Sequence, residues 1–186
     1  MAGKNGGEVS VYSDFERKEL DKYYTPYEAV IPLLPFLKPK TKFVEPTAGD
    51  GRLIRHLEQH GHECVYACDI KPEGAGIEQR DVLFFDKTLP PCDMIITNPP
   101  WERDVLHPMI DIFTAQVDTW LLFDAAWPHT VQAIPFRSLC KKIVSIGRIS
   151  WEGNGVSGTQ DCCWYLFSKN PGPCEFVFRK RATPCE

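Results

Sequence analysis

The residues in this chain best suited to chemistry are Asn98-Pro99-Pro100-Trp101, at the end of Asp93-Met94-Ile95-Ile96-Thr97. The apolar run Met94 to Ile96 reads as a buried strand, and the paired prolines end it in a rigid turn. An Asn at the end of such a strand points its amide into the crevice beyond the strand's carboxyl end. Prolines carry no N–H, so the main chain here offers carbonyls as pure acceptors. Trp101 follows as a flat, polarisable plate. Two fixed acceptors and a plate suit the gripping of a planar NH2 group.

A second constellation lies upstream. Glu45-Pro46-Thr47-Ala48-Gly49-Asp50-Gly51 separates a short strand from a helix, and its glycines let a ligand approach the backbone. Asp69 ends the next strand, near the spacing of a carboxylate that binds ribose hydroxyls. A dinucleotide fits poorly: Ile54 holds the third glycine position, and Asp50 opposes a pyrophosphate at the helix N-terminus. A nucleoside without phosphates that carries a cationic centre tolerates these acids, and S-adenosylmethionine (SAM) is one. The alternative is a tight turn with no ligand.

These residues need a scaffold. Residues 1–12 read as a disordered, Gly-rich tail and 13–186 as one domain. Ser13 and Glu16 have capping-box spacing, predicting a helix to about Lys22. Thr25 and Pro26 start another, with Thr25 as N-cap, carrying Ala29, Val30, Leu33 and Leu34 inward, and Pro32 and Pro35 keep it short. Strands are expected at Lys42–Glu45, Glu63–Cys68, Val82–Phe85, Met94–Thr97 and Thr119–Phe123. Helices are expected over Arg52–His60, from an Asp104 cap to about Gln116, and over Ser138–Lys142. Ile143–Ile149, Cys162–Phe167 and an edge strand at Glu175–Arg179 complete the set. Strand-helix-strand units predict an α/β fold with a mostly parallel sheet, and the two late strands an antiparallel hairpin.

The 186 residues are 43% hydrophobic and carry a net charge of −4, with no global basic signature. That argues against tight non-specific nucleic-acid binding and leaves room for a local groove. Basic clusters occur at Lys38/Lys40/Lys42, Arg52/Arg55, Lys141/Lys142 and Arg179-Lys180-Arg181. No run has the length of a membrane span, and the N-terminus lacks a signal-peptide core. Cys64, Cys68, Cys162 and Cys163 sit in apolar strand contexts without zinc spacing, so reduced thiols, no metal and a cytoplasmic location are expected.

Together, the Gly turn and Asn98-Pro99-Pro100-Trp101 resemble the class I SAM-dependent methyltransferases, specifically their amino-methylating branch. That branch has an E-x-x-x-G-x-G turn after strand one and [N/D]-P-P-[Y/F/W] after strand four. The resemblance covers residues 23–127, with Thr25-Pro26 at the upstream helix motif and Asp69 and Asp81 at the acidic positions. The motif order is similar to gamma-type adenine-N6 DNA methyltransferases. Gly147-Arg148-Ile149-Ser150-Trp151 and Cys163-Trp164-Tyr165-Leu166-Phe167 resemble small phage-type members, implying a bacterial or phage origin. The implied fold is Rossmann-like, a seven-stranded sheet with helices on both faces.

The implied cofactor is SAM. Glu45, Ala48 and Gly49 would line its methionine end, with Tyr24 and Thr25 closing over it. Asp69 would take the ribose, Ile70 the adenine ring, and Asp81 with the Val82 backbone the adenine amino group. Asn98, also beside the cofactor, and the Pro99 carbonyl would accept the hydrogens of the target NH2. Pro100 stiffens the turn and Trp101 stacks on the target. Such an amine is a poor nucleophile because its lone pair is delocalised, and fixed acceptors localise that pair towards the methyl group.

The target could be adenine N6, cytosine N4 or a protein glutamine. A Trp in the fourth position favours a wide aromatic target, and Asn in the first argues against cytosine. Adenine N6 is the expected target, in DNA ahead of RNA, and flipped out of any duplex. The expected substrate contact is the loop Glu152–Thr159, flanked by Arg148, Trp151 and Gln160. Two features oppose a self-sufficient DNA enzyme: the acidic pI, and a remainder of only about sixty residues after Trp127. The contrasting reading is a non-catalytic subunit of this fold that binds nucleic acid or activates a partner.

Overall fold

The computed structural model describes residues 23–84, 89–151, 158, 160–170 and 172–178. The tail and the helix expected after it, most of loop 152–159 and the basic run at 179–181 lie outside them.

The elements are α1 (Tyr27–Val30), β1 (Lys42–Glu45), α2 (Arg52–Glu58), β2 (Glu63–Asp69), β3 (Glu78–Gln79), β4 (Met94–Thr97), α3 (Arg103–Thr114), β5 (Thr119–Asp124), β6 (Cys140–Gly147), β7 (Cys162–Phe167) and β8 (Glu175–Val177). They build one eight-stranded sheet in the order β3-β2-β1-β4-β5-β7-β6-β8. The first five positions pair in parallel. β7 lies antiparallel between β5 and β6, and β8 pairs parallel with β6.

Alternation along the strands splits the core into two layers. Val44, Ile95, Leu121, Phe123 and Tyr165 face α3, which contributes Leu106, Met109, Ile110 and Phe113. Their neighbours Phe43, Ile96, Trp120, Leu122 and Trp164 face α1 and α2, where Ala29, Val30, Leu53 and Leu57 close the opposite layer. Helices thus cover both faces, and β5 and β7 are apolar on both sides because neither side meets water. Each large side chain buried this way contributes about 1.5–3 kcal/mol.

The chain runs outward from β1 to β3, then returns to β4 on the other side of β1. Strand order reverses there, so the loops leaving the carboxyl ends of β1 and β4 diverge and open a crevice. Both constellations stand at its walls.

Several sequence expectations need correction. The described residues form eight strands, as many as the ranges read from the sequence and one more than the seven the resemblance implies, with β8 added at the edge beside β6. Val82–Phe84 is a 3₁₀ helix: the Asp81 carboxylate accepts the Leu83 N–H at 2.9 Å and turns the chain, while Glu78–Gln79 pairs with β2 instead. Glu102, not Asp104, occupies the N-cap of α3, and Asp104 sits in its first turn, where a negative charge suits the helix dipole. Residues 138–142 are not helical. The 3₁₀ segment comes earlier, at Val131–Phe136, and Cys140 and Lys142 already pair with β7. Thr25 does not cap α1: Pro26 holds that position, and Thr25 is buried instead.

Candidate active site

A cavity of about 200 Å³ lies at the carboxyl ends of β1, β2 and β4. Tyr24, Thr25, Glu45, Ala48 and Gly49 line one part of it, and Asp69, Ile70, Asp81 and Val82 another. Asn98 and Pro100 line a third, so both motifs meet in one space. Pro99 is buried and Trp101 half-buried, and neither lines the cavity.

The Gly turn folds back on itself. Gly51 donates its N–H to the Ala48 carbonyl at 2.7 Å, and Ala48 donates to Cys68 at 2.9 Å. Gly49 and Gly51 have φ of 54° and 75°, the left-handed region that a side chain resists. A Cβ at Gly49 would lie 3.4 Å from the Tyr24 ring. Asp69 clamps the turn from β2: its carboxylate accepts the Gly49 N–H at 2.8 Å and the Lys71 N–H at 2.7 Å. A carboxylate has about four acceptor sites, so these two bonds leave capacity for a ligand.

Glu45 is the unusual group. It is 2% exposed, and its Oε2 is buried with no hydrogen-bond partner. Burial, then the nearby charges of Asp69 and Asp50, push its carboxyl well above the ordinary range. A carboxyl in a cavity wall with one oxygen unpartnered is satisfied by a ligand that brings a donor, above all a cationic one.

Asp50 behaves differently from what its place between the glycines suggests. It accepts the Arg52 N–H at 2.8 Å and pairs with Arg52 at 3.2 Å and Arg55 at 3.5 Å. Its spacing to these arginines was visible in the sequence, and the neutralisation was missed. The Arg52 guanidinium also sits 5.0 Å over the Tyr24 ring. Tyr24 donates its hydroxyl to Glu73, and that bond, followed by burial, raises its pKa to about 12. Asp81 lines the cavity while holding the Leu83 N–H, so it serves as both turn former and wall.

At the opposite wall, Asn98 donates from Nδ2 to the Tyr23 carbonyl at 2.8 Å. The Trp101 indole Nε1–H reaches Asn98 Oδ1 at 3.3 Å. Thr47 and Thr97 hydroxyls, 2.5 Å apart, tie the Gly turn to the end of β4. Trp151 meets Trp101 edge-on at 5.7 Å and Tyr23 at 5.9 Å. Tyr23 was not singled out in the sequence, and Trp151 only as a loop flank. Their one signal was aromatic character next to a motif.

Of the basic clusters, Arg52/Arg55 stands at the cavity, where Arg52 lines it, and two others do not. Lys38, Lys40 and Lys42 precede or begin β1, and Lys141 and Lys142 begin β6, which runs in the same sense as β5. Both clusters therefore sit at the amino ends of the strands, away from the cavity. Lys42 pairs with Glu63 at 3.5 Å, and Lys142 pairs with Glu175. Arg148 follows β6 at the cavity end and pairs with Asp161 at 3.9 Å. No group of metal-binding side chains occurs among the described residues, and no helix among them is long and apolar enough to cross a membrane.

No sequence-family profile and no curated protein matches the chain. Solved structures do match its fold. A type I restriction-modification system methyltransferase subunit from Streptococcus thermophilus aligns with a TM-score of 0.61 at 10% identity, over 84% of this chain and 47% of that one. A protein from Pyrococcus horikoshii assigned as an RNA methyltransferase aligns at 0.59 and 15% identity, over 80% and 87%. A dimethyladenosine transferase from Plasmodium falciparum aligns at 0.51 and 14% identity, over 78% and 60%. The chain thus spans about half the length of the restriction-modification subunit. At these identities the likeness is one of fold, and the fold is the Rossmann-like sheet of methyltransferases.

Proposed function

We propose that this chain is a SAM-dependent N-methyltransferase acting on a planar exocyclic amine, most favourably adenine N6 in DNA. The observation that carries the reading is one cavity lined by Glu45, whose Oε2 is buried without a partner, and by Asn98. The residues fit SAM on chemical grounds. Glu45 is suited to its amino group, which would draw that carboxyl into its ionised form. Asp69 retains acceptor capacity for the ribose hydroxyls, beside Ile70 at the adenine and Asp81 at the adenine amino group. With Asp50 paired to Arg52 and Arg55, the acids that favour a cationic, phosphate-free nucleoside over a dinucleotide are Asp69, Asp81 and an ionised Glu45.

When bound, SAM supplies a methyl group on a sulfonium leaving group. The chain's own task is then positional. Asn98 Oδ1 and the Pro99 carbonyl accept the amine's two hydrogens, localising its lone pair. Preorganised dipoles act where charge develops; the donors of oxyanion holes, the counterpart of these acceptors, are worth about 2.7–4 kcal/mol each. Trp101 would stack on the target base, adding about 1–3 kcal/mol of positioning. No strong base is required, because the proton leaves after the new bond forms.

The restriction-modification and dimethyladenosine transferase neighbours support a nucleic-acid amine. The test is radiolabelled transfer from SAM to duplex DNA, single-stranded DNA, RNA and protein pools, followed by nucleoside analysis. N6-methyladenine in DNA is expected. Label in protein alone would overturn the adenine assignment, and no heat in a SAM titration would favour a non-catalytic binding subunit.

A further inference from the structure

Asparagine is an ambiguous catalytic group. Its amide presents an acceptor on one side and a donor on the other, and a half-turn about the last side-chain bond exchanges them. Only the oxygen-forward orientation can receive the hydrogens of a target NH2; the reversed amide would set donor against donor. Something must choose.

The two neighbours of Asn98 do so. The Tyr23 main-chain carbonyl, 2.8 Å away, can only accept, so it selects Nδ2. The Trp101 indole Nε1–H, 3.3 Å away, can only donate, so it selects Oδ1. The two contacts agree, and each alone would dictate the same orientation. An amide oxygen has two acceptor sites, and the indole uses one, leaving the other to an incoming amine. The rings are held in turn: Trp151 meets both Trp101 and Tyr23 and so bridges the two residues that contact the amide. Ser150, beside Trp151, donates its N–H to the Glu28 carboxylate of α1 at 2.6 Å, which anchors this end of the bridge.

We infer that Trp101 is a positioning residue as well as a plate: its indole N–H, opposed by the Tyr23 carbonyl, locks the Asn98 amide with its oxygen towards the target. This role is closed to Phe or Tyr at the same position, because neither has a ring N–H. The inference rests on the amine-methylation reading for its function, though the lock itself can be observed without turnover.

The discriminating change keeps the plate and deletes the donor. Replacing the Trp101 indole with 3-benzothienyl in the full chain puts sulfur in place of N–H at nearly unchanged size and stacking surface. With adenine-containing oligonucleotides, kcat is expected to fall roughly three- to tenfold, the loss of one neutral hydrogen bond. KM for the oligonucleotide and SAM affinity should stay within about twofold, where a loss of stacking or of fold would move them. An unchanged kcat would overturn the positioning role. Independently, the Trp101 indole N–H resonance, identified by its disappearance in Trp101→Phe, should move upfield in Asn98→Ala. A resonance indifferent to Asn98 would overturn the lock itself. A wild-type chain that shows this shift yet transfers no methyl group would overturn the reaction assignment and leave the lock standing.

Discussion

Asn98 Nδ2 lies 2.8 Å from the Tyr23 carbonyl oxygen, joining residues 75 positions apart in the chain. The segment entering α1 is thereby tied to the turn after β4. Aspartate at position 98 could not make this bond, since it would set a carboxylate oxygen against a carbonyl. Asn98→Asp should lower stability by about 1–3 kcal/mol, measurable by denaturant unfolding, and reduce transfer. Asn98→Ala should abolish transfer while leaving SAM affinity nearly intact in calorimetry. A comparable loss of SAM affinity would count against the assigned role.

Glu45 yields a prediction in pH. Its folded-state pKa is raised, by burial first and by Asp69 and Asp50 next, so the folded protein holds this proton to higher pH than the unfolded chain does. Stability must therefore fall as pH rises from the ordinary carboxylate range through the raised value. Glu45→Gln should remove that slope and raise Tm at neutral pH by a few °C, the gap closing in acid. SAM affinity should move the other way, dropping roughly 10- to 100-fold on loss of a charge-assisted bond. If Glu45→Gln left both Tm and affinity unchanged, the carboxyl would have no ligand role.

Gly49→Ala tests the turn. At φ 54° a side chain costs about 1–2 kcal/mol, and the new Cβ would touch the Tyr24 ring at 3.4 Å. Thermal unfolding should show Tm lower by roughly 2–8 °C. SAM affinity should fall with it, because the Gly49 N–H that Asp69 accepts would be displaced.

Trp164→Phe probes the scaffold on which the N-terminal wall rests. Trp164 is fully buried in β7 and donates its indole N–H to the Ala29 carbonyl of α1 at 2.7 Å. The substitution leaves that carbonyl unpaired and opens space, costing about 2–4 kcal/mol. A Tm lower by about 5–15 °C is expected by calorimetry.

The strands were readable where tertiary and local signals agreed. Ile95 and Ile96, or Leu121 and Leu122, are apolar in succession because both faces are covered, and that pattern survives in the sequence. Val82–Phe84 was misread for the same reason: a short apolar run is also what a turn packed against a helix needs, and Asp81 decided between them through one hydrogen bond. The elements after β5 were least readable, since pairing with β7 draws Cys140 and Lys142 into the sheet against their local tendency. In the cavity, Glu45, Ala48, Gly49, Asn98 and Pro100 were readable by type and spacing, whereas Pro99 and Trp101 lie outside its lining. Tyr23 and Trp151 were not readable, because the first acts through its main chain and the second through an edge contact across the fold.

The placement of β7 bears on how the protein is made. β7 is the seventh strand to leave the ribosome, yet it fills the slot between β5 and β6. Until Phe167 has emerged, the outer edge of β5 has no partner and Phe123 lacks the Tyr165 ring that stacks on it at 4.1 Å. The Asn98-Pro99-Pro100-Trp101 turn is therefore synthesised long before its supporting sheet can close, and a nascent chain stalled ahead of Cys162 would expose an apolar strand edge. Emergence of the chain through Phe167 is the event that lets the sheet close beneath the site.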